Sequence, residues 1–294
     1  MSKITQALEK AARERLQRER EEQEQATALA SPVTVALAAP DLTTVQVAGQ
    51  VHIDPHIVTA GNPQSPVAEQ YRILRTNLQT LRPRSGLKTI VVTSAVRGEG
   101  KSVTALNLAL ALARQEDLRV VLVDGDLRRS TVHQWLGITN PSKGLSTVLT
   151  NGGVLNGSLV KLQSPRLTIL PAGPSPENPA ELLESTNMKR LLASLRAQFD
   201  LVIIDSPPVL SVADPGILAS QTDGVLLVVR AGKTQRRTVA EAQARLQQMK
   251  ASVIGCVLTH VEYHMPSYYH YYRAYTKDRD ETTPHAAPTP PPVQ

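Results

Sequence analysis

The stretch KTIVVTSAVRGEGKSVTALNLALALAR, residues 88–114, decides the fold. Its first part, 88–94, is a short apolar run rich in β-branched residues and reads as a buried strand. Its second part reads as a helix over 101–115. Between them Ala95-Val96-Arg97-Gly98-Glu99-Gly100-Lys101-Ser102 fits G-x-x-x-x-G-K-[ST], with Ala95 in the place of the first glycine. Small residues let backbone N–H groups close around phosphate oxygens, the lysine reaches the terminal phosphates, and the serine hydroxyl suits Mg²⁺. The helix N-terminus adds a favourable field. Val96 through Ser102, with Val103, form the candidate nucleotide-binding segment. A glycine-rich turn that only caps a helix would match the same letters; the position between an apolar strand and a helix favours phosphate.

Working outward, further strand-like runs fall at 119–124, 167–171, 200–205, 224–230 and 252–259, and helix-like runs at 66–82, 179–198 and 236–249. Strands alternating with helices predict an α/β fold: a mostly parallel twisted sheet flanked by helices, with ligands at the C-terminal strand ends. Two of those ends are acidic. Val121-Leu122-Val123-Asp124-Gly125-Asp126 offers Asp124 and Asp126 to a metal shell, or as proton acceptors. Leu201-Val202-Ile203-Ile204-Asp205 has the form of a second acidic partner of a phosphate loop. Either could be an ordinary solvated turn. Three such motifs in this order point to Mg²⁺ and ATP as cofactors, with Ser102, Asp124 and Asp205 as candidate metal residues.

Composition sets the bounds. At 294 residues and 41% hydrophobic, the chain can build one large domain core. One Phe and one Trp leave that core to Val, Leu, Ile and Ala. A lone cysteine, Cys256, excludes an internal disulfide and is expected to be a buried, inert strand residue. The net charge of +6 suits phosphate ligands or an acidic surface and predicts no nucleic-acid partner. No run of apolar residues reaches membrane-spanning length, and no secretory leader is visible.

The two ends read differently from the middle. Residues 1–25 carry six Lys/Arg and six Asp/Glu, and 2–25 read as a charged amphipathic helix, either solvated or used for docking. Residues 26–62 read as a flexible linker and 63–262 as the catalytic domain. The segment 263–294 is a tail: Tyr263, Tyr268, Tyr269, Tyr271, Tyr272 and Tyr275 cluster there, followed by a Pro-rich end expected to be disordered. The tyrosines keep neither strand nor helix period, so they read as accessible hydroxyls or as a partner-binding patch.

SAVRGEGKS, VLVDGDLRR, LVIIDSPP, AEQYRILRTN and PAGPSPENPAELLES, together with the tyrosine cluster, resemble the bacterial tyrosine kinases (BY-kinases) of capsule and exopolysaccharide synthesis. The resemblance covers roughly 64–275 and is to the form whose membrane activator is a separate protein. It implies a P-loop fold with a MinD/ParA-like core and non-specific protein-tyrosine kinase activity. Lys101, Asp124, Asp126 and Asp205 would be catalytic, with Asp124 as general base and the tail tyrosines as the phosphorylated residues. Glu69, Arg72 and Arg75 would match an oligomerisation motif that builds a homo-oligomeric ring, each tail entering its neighbour's site in trans. The implied partners are a transmembrane polysaccharide co-polymerase acting as activator and a protein-tyrosine phosphatase. The implied location is cytoplasmic, at the inner face of the plasma membrane. Arg97 stands where that family usually has Pro, and Thr259 where an Asn is expected near adenine. The rival is a MinD/ParA-like positioning ATPase. Such proteins carry an early signature lysine in the loop, where this chain has Val96 and Arg97.

Overall fold

The computed structural model describes residues 46–48, 52–139, 141–155, 157–163 and 166–261. The expected N-terminal helix, most of the expected linker and the tyrosine tail lie outside the described residues. Eight strands form one sheet: β1 Gln46–Ala48, β2 Thr89–Ser94, β3 Val120–Asp124, β4 Val160–Gln163, β5 Arg166–Leu170, β6 Leu201–Asp205, β7 Gly224–Arg230 and β8 Val253–Thr259. Their spatial order is β1-β4-β5-β3-β6-β2-β7-β8. The six strands read from the sequence are the six that run parallel to one another. The two it missed, β1 and β4, run the other way: β4 pairs antiparallel with β5, and β1 parallel with β4.

Period-2 alternation sends each central strand into two cores. Ile90, Val92, Val120, Leu122, Leu201 and Ile203 face one side. Val91, Val121, Val123, Val202 and Ile204 face the other. The described helices are α1 Val58–Gly61, α2 Pro66–Ser85, α3 Lys101–Ala113, α4 Val132–Trp135, α5 Leu145–Thr150, α6 Pro179–Glu184, α7 Thr186–Gln198, α8 Asp214–Ala219 and α9 Arg236–Gln248. α3 is buried nearly all round, from Thr104 to Ala113, because it lies between the sheet and α2. α2 starts at Ser65, whose hydroxyl accepts from the Ala68 N–H, with Pro66 next. It runs to Ser85, past the expected end at 82; Pro83 is accommodated in the last turn, and Gly86 ends it in the left-handed region at φ 65°.

Two further expectations need correction. The single helix expected over 179–198 is two. Ser185 is extended (φ −62°, ψ 159°); it closes α6 and caps α7 by accepting from the Met188 N–H. Cys256 is exposed rather than buried, because β8 is the sheet's edge strand and only partly covered.

The stretch 52–61, read as the end of a linker, is packed. Ile57 has no exposed surface. The side chain of Asn107, buried in α3, reaches it from below. Its Oδ1 accepts from the Thr59 N–H (3.0 Å) and hydroxyl (2.9 Å), and its Nδ2 donates to the carbonyls of His56 (3.0 Å) and Val103 (2.9 Å). Arg114 Nη2 adds a bond to the Thr59 carbonyl at 2.7 Å. Asp54 N–H donates to the Trp135 carbonyl (2.9 Å), and Gly137 lies so close that a Cβ there would sit 2.4 Å from the His52 carbonyl oxygen. The segment thus ties α3 to α4.

Replacing Asn107 with Ala strands the buried polar groups of Thr59. The variant should lose about 2–3 kcal/mol of stability in urea unfolding and gain protease sensitivity within 52–61.

Candidate active site

The site follows from strand register. β6 lies between β2 and β3, and Asp124 and Asp205 are direct register partners at the last residues of β3 and β6. Their carboxylates therefore emerge side by side at one sheet edge, where β2 also delivers the phosphate loop. Both residues have no exposed surface. Lys101, the first residue of α3, leans over them. Its Nζ is 3.1 Å from Asp126 Oδ2, 3.6 Å from Asp205 Oδ1 and 3.0 Å from Ser102 Oγ.

Burial and mutual repulsion govern the charges. Loss of water drives the Asp124 carboxyl well above the usual carboxylate range, and the neighbouring Asp205 pushes the same way. Loss of water also raises Asp205, against the pull of Lys101. Burial works against the Lys101 ammonium, but Asp205 and then Asp126 outweigh it, so its pKa is raised and it stays a cation. Asp124 is partly satisfied: Oδ1 accepts from the Asp126 N–H at 3.2 Å and Oδ2 from the Val132 N–H at 3.4 Å. Neither Asp205 oxygen has a hydrogen-bond partner. Two orphaned, fully buried carboxylate oxygens beside a serine hydroxyl and a second carboxylate fit Mg²⁺, which takes one or two carboxylates and completes its shell with water and phosphate. Among the described residues no group of three or more His, Cys, Asp or Glu forms a protein-only metal cage.

The phosphate loop itself is held from outside. Gly98 (φ 78°) and Gly100 (φ 91°) are in the left-handed region, where glycine is needed. Ala95 is not among the positive-φ residues and is fully buried in the core, so Ala fits the first glycine's place without strain. Val96, Arg97 and Gly98 are exposed, Gly100, Lys101 and Val103 half-buried, and Ser102 buried. Glu99, only 1% exposed, turns away from the carboxylates. It accepts from the Val96 N–H (2.8 Å), the Arg230 N–H (3.4 Å) and the Thr234 hydroxyl. The Thr259 hydroxyl donates to the Glu99 carbonyl at 2.8 Å, so Thr259 lies under the loop and touches Gly100.

Three residues take supporting roles that the sequence did not show. Gly125 packs so tightly on β6 that a Cβ would lie 2.8 Å from the Asp205 carbonyl oxygen. Arg128 makes a two-pronged pair with fully buried Asp214 in α8 (2.7 and 3.0 Å), fixing the turn after Asp126. Glu99 is the third. Only Gly125 has a local signal, its place between two aspartates; the others depend on residues about 86 to 160 positions away. The residues expected to oligomerise are engaged within the chain. Arg72 pairs with Glu69 and donates to the Pro63 carbonyl (3.0 Å), while Arg75 donates to the Ala111 carbonyl (3.2 Å) at the end of α3. The six clustered tyrosines lie outside the described residues; Tyr71, the remaining one, packs against the core beside α3.

A parallel sheet presenting a phosphate loop, a lysine and strand-end aspartates defines a P-loop nucleotide-binding protein. A family model described as an AAA domain matches residues 87–253. The tyrosine-protein kinase YwqD of Bacillus subtilis is 39% identical over 223 residues, covering 76% of this chain and 92% of that protein. The kinase domain of the Escherichia coli tyrosine kinase ETK superposes with a TM-score of 0.66 at 30% identity, covering 69% of this chain and 78% of that one. The chimerical protein CapA2B2 superposes with a TM-score of 0.65 at 32% identity, covering 73% and 93%. The chain belongs to the bacterial tyrosine-protein kinase family.

The raised carboxyls set a pH signature for the protein without nucleotide. A carboxylate whose folded pKa lies above its unfolded value near 3.8 destabilises the fold above the folded pKa, and this penalty fades as pH falls through it. Asp205→Asn should therefore raise stability at neutral pH, with the gain shrinking toward pH 4 in thermal unfolding. The same variant should bind Mg-ATP more weakly by calorimetry.

Proposed function

We propose that the chain is a Mg-ATP-dependent protein-tyrosine kinase that phosphorylates its own tyrosine tail in trans. The observation that carries this reading is the register pairing of Asp124 and Asp205 beneath Lys101, with both Asp205 oxygens buried, without a hydrogen bond and suited to ligate a metal ion. Ser102, Asp205 and Asp124 would hold Mg²⁺, which would supply positive charge against the transferring phosphoryl group. Lys101 would hold the terminal phosphates. The glycines of the loop let backbone N–H groups approach them. Asp124, raised by burial above an ordinary carboxylate, is the proposed acceptor for the proton of an incoming phenol. Asp126, bonded to Lys101 and accepting from the Arg129 N–H (3.0 Å), holds the lysine and its own turn in place.

Tyr263, Tyr268, Tyr269, Tyr271, Tyr272 and Tyr275 are the proposed acceptors. They begin four residues after β8 ends, close in sequence to a strand bonded to the phosphate loop through Thr259. Each added phosphate contributes about −1.5 to −2 charge, so several would turn the tail, whose Lys/Arg and Asp/Glu balance, strongly negative. That suits a cycle between an assembled ring and dispersed subunits, reset by a tyrosine phosphatase. The solvent-side Glu69–Arg72 pair is available for exchange onto a neighbouring subunit. Among the described residues no helix is long and apolar enough to cross a membrane. Membrane contact in exopolysaccharide synthesis would then come through a separate transmembrane activator.

Purified protein incubated with Mg-ATP should gain phosphotyrosine, read by intact mass and antibody, with a partner's cytoplasmic segment added as activator. Lys101→Met should reduce the signal by ~100-fold or more. Asp124→Asn should lower kcat far more than ATP affinity; equal loss in both would remove the base role and leave a metal role. With all six tail tyrosines changed to Phe, Mg-ATP should no longer change the assembly state in analytical ultracentrifugation.

A further inference from the structure

On the side of the phosphate loop away from Asp124, a cleft of about 310 Å³ opens between the loop and the start of α9. Val96–Gly98 form one wall, and Lys233, Thr234, Gln235 and Thr238 the other. Glu99 lies at its base, but its carboxylate is already taken by two N–H groups and a hydroxyl, which leaves little negative field to project into the cleft. The charged side chains that remain at the opening are cationic. Arg97 and Lys233 are exposed, and neither has an ion-pair partner among the described residues.

The first turn of α9 supplies an independent sign. Arg236 and Arg237 stand there, exposed and without ion-pair partners among the described residues, and the turn has no acidic residue and no side-chain cap. Cations in a first turn oppose the helix dipole, and Arg236 and Arg237 gain no compensating contact in the described fold. Two unpaired cations, Arg97 and Lys233, therefore line a concave space beside the loop that would hold the transferable phosphate, and Arg236 and Arg237 stand in the helix turn that follows its wall. A flat anionic membrane would engage an exposed basic face; a cleft of this size accepts one or two side chains of a peptide.

We propose that this cleft binds acidic residues flanking the acceptor tyrosine, so that the enzyme selects tyrosines in acidic sequence. The inference rests on the kinase reading above. The chain's own tail carries acidic residues at its margins, interleaved with Lys277 and Arg279: Glu262 precedes Tyr263, and Asp278, Asp280 and Glu281 follow Tyr275. Arg97, at the loop's tip, would meet the flanking carboxylate nearest the acceptor. Lys233, Arg236 and Arg237 would meet those further along. Because these contacts are solvent-exposed, they weaken with salt.

The test uses the full chain and short tyrosine peptides that differ only in flanking Glu, Ala or Lys. Glu-flanked peptide should show kcat/KM roughly tenfold above Ala-flanked peptide, equivalent to a few weak exposed charge contacts. The gap should narrow between about 50 mM and about 500 mM salt. The triple variant K233E/R236E/R237E should keep its rate on Ala-flanked peptide and favour the Lys-flanked one. It should fold at least as well as the parent, since Glu in a first turn is favourable. Binding of the same peptides with Phe in place of Tyr, read by fluorescence anisotropy, reports on the cleft without any transfer. Absent phosphotyrosine with charge-selective binding would overturn the kinase reading alone. Equal binding of Glu- and Lys-flanked peptides, or an unchanged preference in the triple variant, would overturn the cleft's role. So would loss of binding to phosphatidylserine vesicles in the triple variant while its peptide preference stays intact.

Discussion

Two carboxylates that cannot escape each other organise this protein. Asp124 and Asp205 are register partners on adjacent parallel strands and both are fully buried, so the sheet forces like charges together at its edge. Burial alone would neutralise them, and it raises both. Lys101 is the compensating charge, but it also serves Asp126. The nearby Arg128 is committed to Asp214. Three carboxylates therefore share one ammonium. A site so short of positive charge is a stability liability on its own and becomes favourable when a divalent cation enters. The same deficit allows nucleotide phosphate to come in with its metal and not against the protein's field.

The surroundings hold that edge still. Gly125 lets the turn after β3 rest on the β6 backbone, and the Arg128–Asp214 pair closes the turn from the far side. Glu99 and Thr259 bind the phosphate loop to β7 and β8 from outside. Asn107, three bonded contacts of which leave its own turn of helix, anchors α3 to the segment 52–61. Apart from Gly125, each of these supports is a polar group made safe by pairing, and each touches the loop, the helix or the turn that carries a charged site residue. Catalytic groups held this way need little reorganisation when charge develops on the phosphoryl group.

The long-range supports explain where sequence reading stopped. Asp124 and Asp205 were legible because each closes an apolar run, and strand ends in a parallel sheet share one edge. Lys101 and Ser102 were legible from spacing alone. Glu99 was read as part of the nucleotide-binding segment because it lies inside the motif; its side chain instead faces β7, since Thr234 and the Arg230 N–H offer the buried carboxylate partners. Thr259, expected near the base, lies beneath the loop. The helix break at Ser185 and the exposure of Cys256 were missed for related reasons: one depends on a cap bond competing with helix continuation, the other on which strand ends the sheet.

The sequence by itself determined the alternation of strands and helices, the two-sided burial of the parallel strands, the phosphate loop and the acidic strand ends. These are set by nearest neighbours and by period, which a linear chain displays directly. Only the tertiary structure decided that Asp124 and Asp205 are partners, that β1 and β4 reverse direction, that residues 52–61 belong to the packed body, and that a cationic cleft stands beside the loop. Those features arise from strand order and side-chain reach between segments far apart in the chain, and no local pattern encodes either.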